Sequence, residues 1–106
     1  MDGAQFAGHC NALRAELVND FTHHASGSEV AAKIAALGLD DQQARQLTAI
    51  LDTVVRDTMY TLLLGLDGAA SLGGCQQQFT VTDEDGNVIE GIEDAAWQCF
   101  HVDAGS

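Results

Sequence analysis

The chain has 106 residues, of which 46% are hydrophobic and 19% charged, a composition that predicts one globular domain over residues 1–106 and excludes a disordered chain. Its net charge of −12 disfavours binding to nucleic acid or to anionic membranes, because like charges repel. No apolar run approaches the roughly 20 residues of a membrane span, and the N-terminal sequence is unlike a secretory signal, so we expect a cytoplasmic protein.

The charge is distributed unevenly along the sequence. Residues 1–56 contain seven acidic and four basic residues, whereas residues 57–106 contain nine acidic residues and no basic one. A potential of one sign over half of a small domain attracts basic proteins. The second half is therefore the better place to look for a binding surface.

Helical periodicity predicts three N-terminal helices. The first, from about residue 3 to residue 24, has an apolar stripe spaced by three and four residues: Phe6, Cys10, Leu13, Leu17 and Phe21. Ser28 can cap a short second helix, and Asp40 can cap a long third one. The third helix is expected to be the central element, with an inner stripe of Leu47, Ile50, Leu51, Val54, Thr58 and Leu62.

After the glycine-containing loop 68–74, the pattern changes to alternation. Residues 75–82 and a short segment around Val88 and Ile89 are typical of the two strands of a β-hairpin, with Gly86 in its turn. The spacing of Ile92, Ala96, Trp97 and Phe100 predicts a short final helix, with Trp97 in the core. The predicted fold class is α+β: mostly helical, with three N-terminal helices, a β-hairpin and a short C-terminal helix.

The histidines and cysteines lack the spacing of a metal site. Structural zinc sites use paired ligands such as C-x2-4-C or H-x3-5-H, and neither pattern occurs, so we predict no metal and no other cofactor. Cys75 is a candidate nucleophile, but acidic surroundings raise a thiol pKa and disfavour the thiolate. We expect a protein that is not an enzyme. The alternative is a small enzyme in which a histidine and carboxylates or Cys75 converge only in the fold.

Six carboxylates lie within twelve residues and form the most prominent feature of the sequence. Charge runs of this kind are usually hydrated surface. The absence of any basic residue after Arg56, together with the open edge of the predicted hairpin, favours a surface that binds a basic protein. The predicted partner-binding residues are Asp83, Glu84, Asp85, Glu90, Glu93 and Asp94.

Residues 52–89 contain the helical run DTMYTLLL, then LDGAASLGG, then the turn DEDGN. This segment resembles small acidic immunity-type proteins of bacterial polymorphic and type VI toxin systems. The resemblance implies a stoichiometric inhibitor without catalytic residues, which binds a cognate toxin effector and occludes its active site. Two alternatives stay open: a phage-type nucleic-acid mimic that inhibits a host defence nuclease, and a homodimer formed through the apolar end of the third helix.

Overall fold

The structure, a computed structural model, describes residues 1–103. Its helices are α1 (Gly3–Thr22), α2 (Glu29–Ala35), α3 (Asp41–Leu66) and α4 (Ile92–Trp97), with a 3-10 turn at His24–Ser26 and a π-helical continuation of α4 at Gln98–Asp103. The prediction of three N-terminal helices is confirmed. Within the described residues no helix has the length and apolarity required to cross a membrane.

Polar side chains set the starts of the two long helices. Asp2 accepts a hydrogen bond from the backbone amide of Gln5, and the Gln5 side chain accepts one from the Asp2 amide. Asp40 and Gln43 repeat this capping box at the start of α3. Because each box satisfies helix amides that otherwise lack partners, these helix starts can be read from the sequence.

The predicted α+β class and its β-hairpin are wrong, since residues 1–103 contain no β-strand or sheet. Residues 67–91 form an irregular connection with two isolated antiparallel bridges, Leu72 to Cys75 and Thr82 to Val88. The segment predicted as the first strand does not pair with a neighbouring strand. Its glutamine side chains instead hydrogen-bond to backbone carbonyls at the end of α3. Gln76 Nε2 donates to the Gly68 carbonyl at 3.1 Å, and Gln78 Nε2 donates to the Asp67 carbonyl at 3.3 Å.

The core lies at one end of the molecule, where α4 packs against both α1 and α3. Its buried cluster consists of Leu63, Ile89, Ile92, Ala96 and Phe100. Aromatic and sulfur-containing side chains of α1 and α3 complete this cluster from the sides. The last helix therefore joins the first and third helices into one unit.

Most residues of the stripe that we predicted to be buried on α3 are exposed. Ile50, Val54 and Leu62 are 58%, 52% and 47% exposed. The side of α3 that packs in the core carries Met59 and Leu63 instead. Because α3 has apolar residues on two sides, periodicity alone could not decide which of them the chain covers.

Gly3 brings the start of α1 against the residues that lead into α4. Gly3 is buried, and a Cβ atom at this position would lie 2.3 Å from the carbonyl oxygen of Glu90 and 3.2 Å from the carbonyl carbon of Gly91. Backbone atoms cannot move aside as a flexible side chain can. Only glycine permits α1 to approach the backbone of Glu90 and Gly91 this closely.

Candidate protein-binding surface

Five of the six predicted carboxylates lie close together in the sequence, within residues 84–94. Glu84 and Asp85 are in the turn, Glu90 lies just before α4, and Glu93 and Asp94 are in the first turn of α4. All five residues are exposed. We call these five residues the acidic surface.

Asp83, the sixth predicted carboxylate, has an internal role. Its Oδ1 accepts hydrogen bonds from the backbone amides of Asp85 and Asn87, both at 3.0 Å. Its Oδ2 lies 2.9 Å from the Met1 ammonium group, and only 15% of its side chain is exposed. The Met1 ammonium, followed by the amides of Asn87 and Asp85, lowers the Asp83 pKa from 3.8 to about 2. Asp83 thus shapes the turn that presents Glu84 and Asp85.

The lowered pKa predicts an acid-sensitive contribution of Asp83 to stability. A group whose pKa is lower in the folded than in the unfolded state stabilises the fold fully above the unfolded value and loses that effect as pH falls towards the folded value. Asp83→Asn keeps the Oδ1 acceptor but cannot ionise. The unfolding free energy of the wild type should exceed that of Asp83→Asn at pH 6, and the difference should shrink between about pH 4 and pH 2.

Urea titrations of both proteins across this pH range measure the difference. Asp83→Ala serves as the comparison that also removes the acceptor for the two turn amides, so it should be less stable than Asp83→Asn at every pH. A difference between wild type and Asp83→Asn that does not change with pH would contradict the assignment.

Asp67 holds the start of α4 in place. Gly91, at the N-cap of α4, has no side chain to cap the helix, and Asp67 Oδ2 accepts the hydrogen bond of the Glu93 amide at 2.9 Å. Asp67 is also the C-cap of α3, so one residue links the two helices. Sequence reasoning missed this role, although an aspartate that follows a long helix and precedes Gly68 was visible.

Trp97 stands on the exposed side of α4, next to the acidic surface. It follows Glu93 by four residues and Asp94 by three, spacings that put side chains on the same helix face. Trp97 is 52% exposed. Its ring stacks on His101 with centroids 4.7 Å apart, and Tyr60 contacts the same His101 ring edge-on at 4.5 Å. These neighbours hold the indole ring from one side.

The prediction of Trp97 as a core residue is wrong. Ile92, Ala96 and Phe100 occupy the buried side of α4 and its π-helical continuation. Successive residues of a helix are about 100° apart, so the residue after Ala96 points away from that side. A hydrophobic pattern that includes four residues of so short a helix covers too wide an arc to be buried entirely.

No basic side chain neutralises the acidic surface in the described residues. Arg14 pairs with Asp52, Lys33 pairs with Glu29 at 3.4 Å, and Arg56 pairs with Asp57 at 3.3 Å. All of these ion pairs lie on α1, α2 and α3. The acidic surface therefore projects an uncompensated negative potential.

A surface groove of about 220 Å³ adjoins the acidic surface. The residues that line it include Leu66, Phe79, Val81 and Ile89, together with Glu90. This combination suits a long cationic side chain, whose methylene groups can contact apolar walls while its charge meets a carboxylate.

The candidate residues of the enzyme alternative have different neighbours in the part of the chain that the structure describes. Cys75 Sγ contacts Gln77 Oε1 at 3.7 Å. His23 Nδ1 lies 2.7 Å from the carbonyl oxygen of Asn19, and His101 packs between aromatic rings. Across residues 1–103, no three histidine, cysteine or acidic side chains are grouped so that they could hold a metal ion.

Comparisons with protein-family models, with curated proteins and with solved structures gave no match for this chain.

Proposed function

We propose that the protein is a non-enzymatic inhibitor that binds a basic protein and occludes its active site, in the manner of the immunity-type proteins that residues 52–89 resemble. The partner is a bacterial toxin effector with a basic substrate path, and the binding takes place in the cytoplasm. The observation that carries the proposal is the exposed Trp97 beside the unpaired carboxylates of the acidic surface.

The carboxylates of the acidic surface and the neighbouring Trp97 have different physical roles. The carboxylates accelerate encounter with a basic partner and select against acidic ones, and they can take the positions of substrate phosphates in a basic groove. Charge at the edge of an interface adds more to association rate than to affinity. Trp97 supplies the affinity, because a large aromatic ring buried at the centre of an interface is a typical hot spot.

The surface is also preorganised for binding. Asp83 fixes the turn through two backbone amides, and Asp67 fixes the start of α4 through the Glu93 amide. Tyr60 and His101 both contact the Trp97 ring and restrict it. Groups that are ordered before binding lose little conformational entropy when the complex forms.

A pull-down from lysate of the source cells tests the proposal. The tagged protein is incubated at low salt and at about 500 mM salt, where charges are screened beyond a few Å. We expect one basic protein in fixed ratio, retained better at low salt, which is toxic when expressed alone and harmless when co-expressed with this chain. The matched bait Trp97→Ala should retain less of it.

The proposal fails if no protein is retained at either salt concentration, or if the retained protein is not inhibited in co-expression. A retained defence nuclease, rather than a toxin, would assign the protein to the nucleic-acid-mimic class instead.

A further inference from the structure

The uncovered side of α3 is almost free of charge. Between residues 49 and 62 its exposed residues are uncharged except for Asp57, which pairs with Arg56. We call the stripe Ile50, Val54, Thr58 and Leu62 the α3 face. Ile50, Val54 and Leu62 are each about half exposed or more. In a chain with net charge −12, an apolar stripe of four helical turns is unusual surface.

Thr53 and Thr58 on this side of α3 donate their hydroxyl hydrogen bonds within the helix. Thr53 Oγ1 donates to the Ala49 carbonyl at 3.2 Å, and Thr58 Oγ1 donates to the Val54 carbonyl at 2.7 Å. Because both hydroxyl groups already have acceptors inside the helix, covering them costs little desolvation free energy. Thr58, the polar member of the α3 face, can therefore be buried at low cost in desolvation free energy.

The molecule exposes more surface than a compact monomer of its mass. It exposes 6788 Å², whereas a folded monomer of 11.2 kDa exposes about 5,700 Å². Its radius of gyration is 16.0 Å, against about 13 Å for a compact domain of this length. The excess of roughly 1,100 Å² is comparable to the roughly 800 Å² that each partner contributes to a standard interface.

The charge distribution favours an antiparallel arrangement of two copies of α3. Ile50 and Val54 of the α3 face lie in residues 1–56, which hold all four basic residues, whereas the densest negative charge follows α3. Val54 is twelve residues from Leu66, which corresponds to about 18 Å of helix. Two antiparallel copies of α3 crossing at Val54 keep their acidic ends about 36 Å apart, several times the screening length of about 8 Å.

We propose that the α3 face is a self-association surface, through which two copies of the chain form an antiparallel dimer about a two-fold axis near Val54. Ile50 of one copy lies against Thr58 of the other. The α3 face repeats the four-residue spacing that places side chains on one side of a helix, and the second copy supplies the cover that the chain itself lacks. The acidic surfaces stay at the two far ends, so this inference does not depend on the proposed function.

Sedimentation equilibrium over a wide concentration range tests the dimer. The wild type should approach twice the monomer mass of 11.2 kDa as concentration rises. Val54→Glu places two carboxylates together at the axis and should raise the dimer dissociation constant at least about tenfold. The control Leu37→Glu adds the same charge at a residue that is 64% exposed and lies outside the α3 face, and it should leave the dissociation constant unchanged. Circular dichroism checks that both variants fold.

Cross-linking tests the orientation. In a Cys75→Ser background, which should not cross-link by itself, neither Ile50→Cys nor Thr58→Cys should form a disulfide-linked dimer alone, because each position is about 12 Å from its own copy. A mixture of the two variants should form one. A wild type that stays monomeric, a dimer that Val54→Glu does not weaken, or self-linking of either single variant would overturn the proposal.

Discussion

Trp97→Ala is expected to raise the dissociation constant for the basic partner by at least about thirtyfold, or about 2 kcal/mol, because it removes the aromatic anchor of the interface. The side chain is 52% exposed in the free protein, so its loss should leave the fold intact. Titration calorimetry with the captured partner measures the constant. An unchanged dissociation constant would place the interface elsewhere.

A charge-reversed pair separates the role of the carboxylates from that of Trp97. Glu93→Lys with Asp94→Lys should slow association and reduce its dependence on salt, with a smaller effect on dissociation. Glu16→Lys with Asp20→Lys makes the same change in net charge on the exposed side of α1. Stopped-flow measurements of the association rates of both double variants compare the effect of charge near Trp97 with the effect of net charge. Equal slowing would show that only the net charge matters.

Gly3→Ala is expected to lower the free energy of unfolding by about 1–3 kcal/mol, although alanine is the better helix former. The new methyl group would have to fit 2.3 Å from the Glu90 carbonyl oxygen, so either α1 or the segment before α4 must move. Urea unfolding followed by circular dichroism measures the change. Since Glu90 belongs to the acidic surface, partner affinity should also decrease.

Gly8→Ala provides the matched control for this prediction. Gly8 lies in the same helix, is exposed, and has no atom within 4 Å of its would-be Cβ. The same substitution there should stabilise the protein by roughly 0.5–1 kcal/mol, because alanine restricts the unfolded chain and favours the helix. If Gly3→Ala and Gly8→Ala had effects of the same sign, the contact between α1 and the Glu90 carbonyl would not be tight.

The sequence predicted what local interactions determine. Asp40 predicted the start of α3, because an N-cap depends only on residues that are close in sequence. The alternation at residues 75–82 was a weaker signal, since a strand needs a ladder partner and the segment around Val88 and Ile89 forms a single bridge. The glutamines of this segment bind the end of α3 instead, a long-range choice that periodicity does not encode.

The sequence predicted which acidic residues are near the candidate surface, but it did not predict the separate role of Asp83. The run of acids located the acidic surface, because charges are rarely buried. Asp83 was indistinguishable in sequence from Glu84 and Asp85, and only the fold of the turn gave it the amides of Asp85 and Asn87. The side of α3 that packs was also undetermined, since both sides are apolar and the deciding neighbour, α4, lies far along the chain.

The position of α4 between α1 and α3 has a consequence for synthesis of the protein. Four of the five residues in the buried cluster come from residues 89–100, so a growing chain that has reached only α3 lacks most of this cluster. Long-range contacts of this kind form late, after the intervening chain has been made. The acidic surface takes shape in that same final step, when Asp67 receives the Glu93 amide. An unfinished chain therefore lacks both most of the buried cluster and the contact that positions α4, so only the finished chain could use the proposed binding surface.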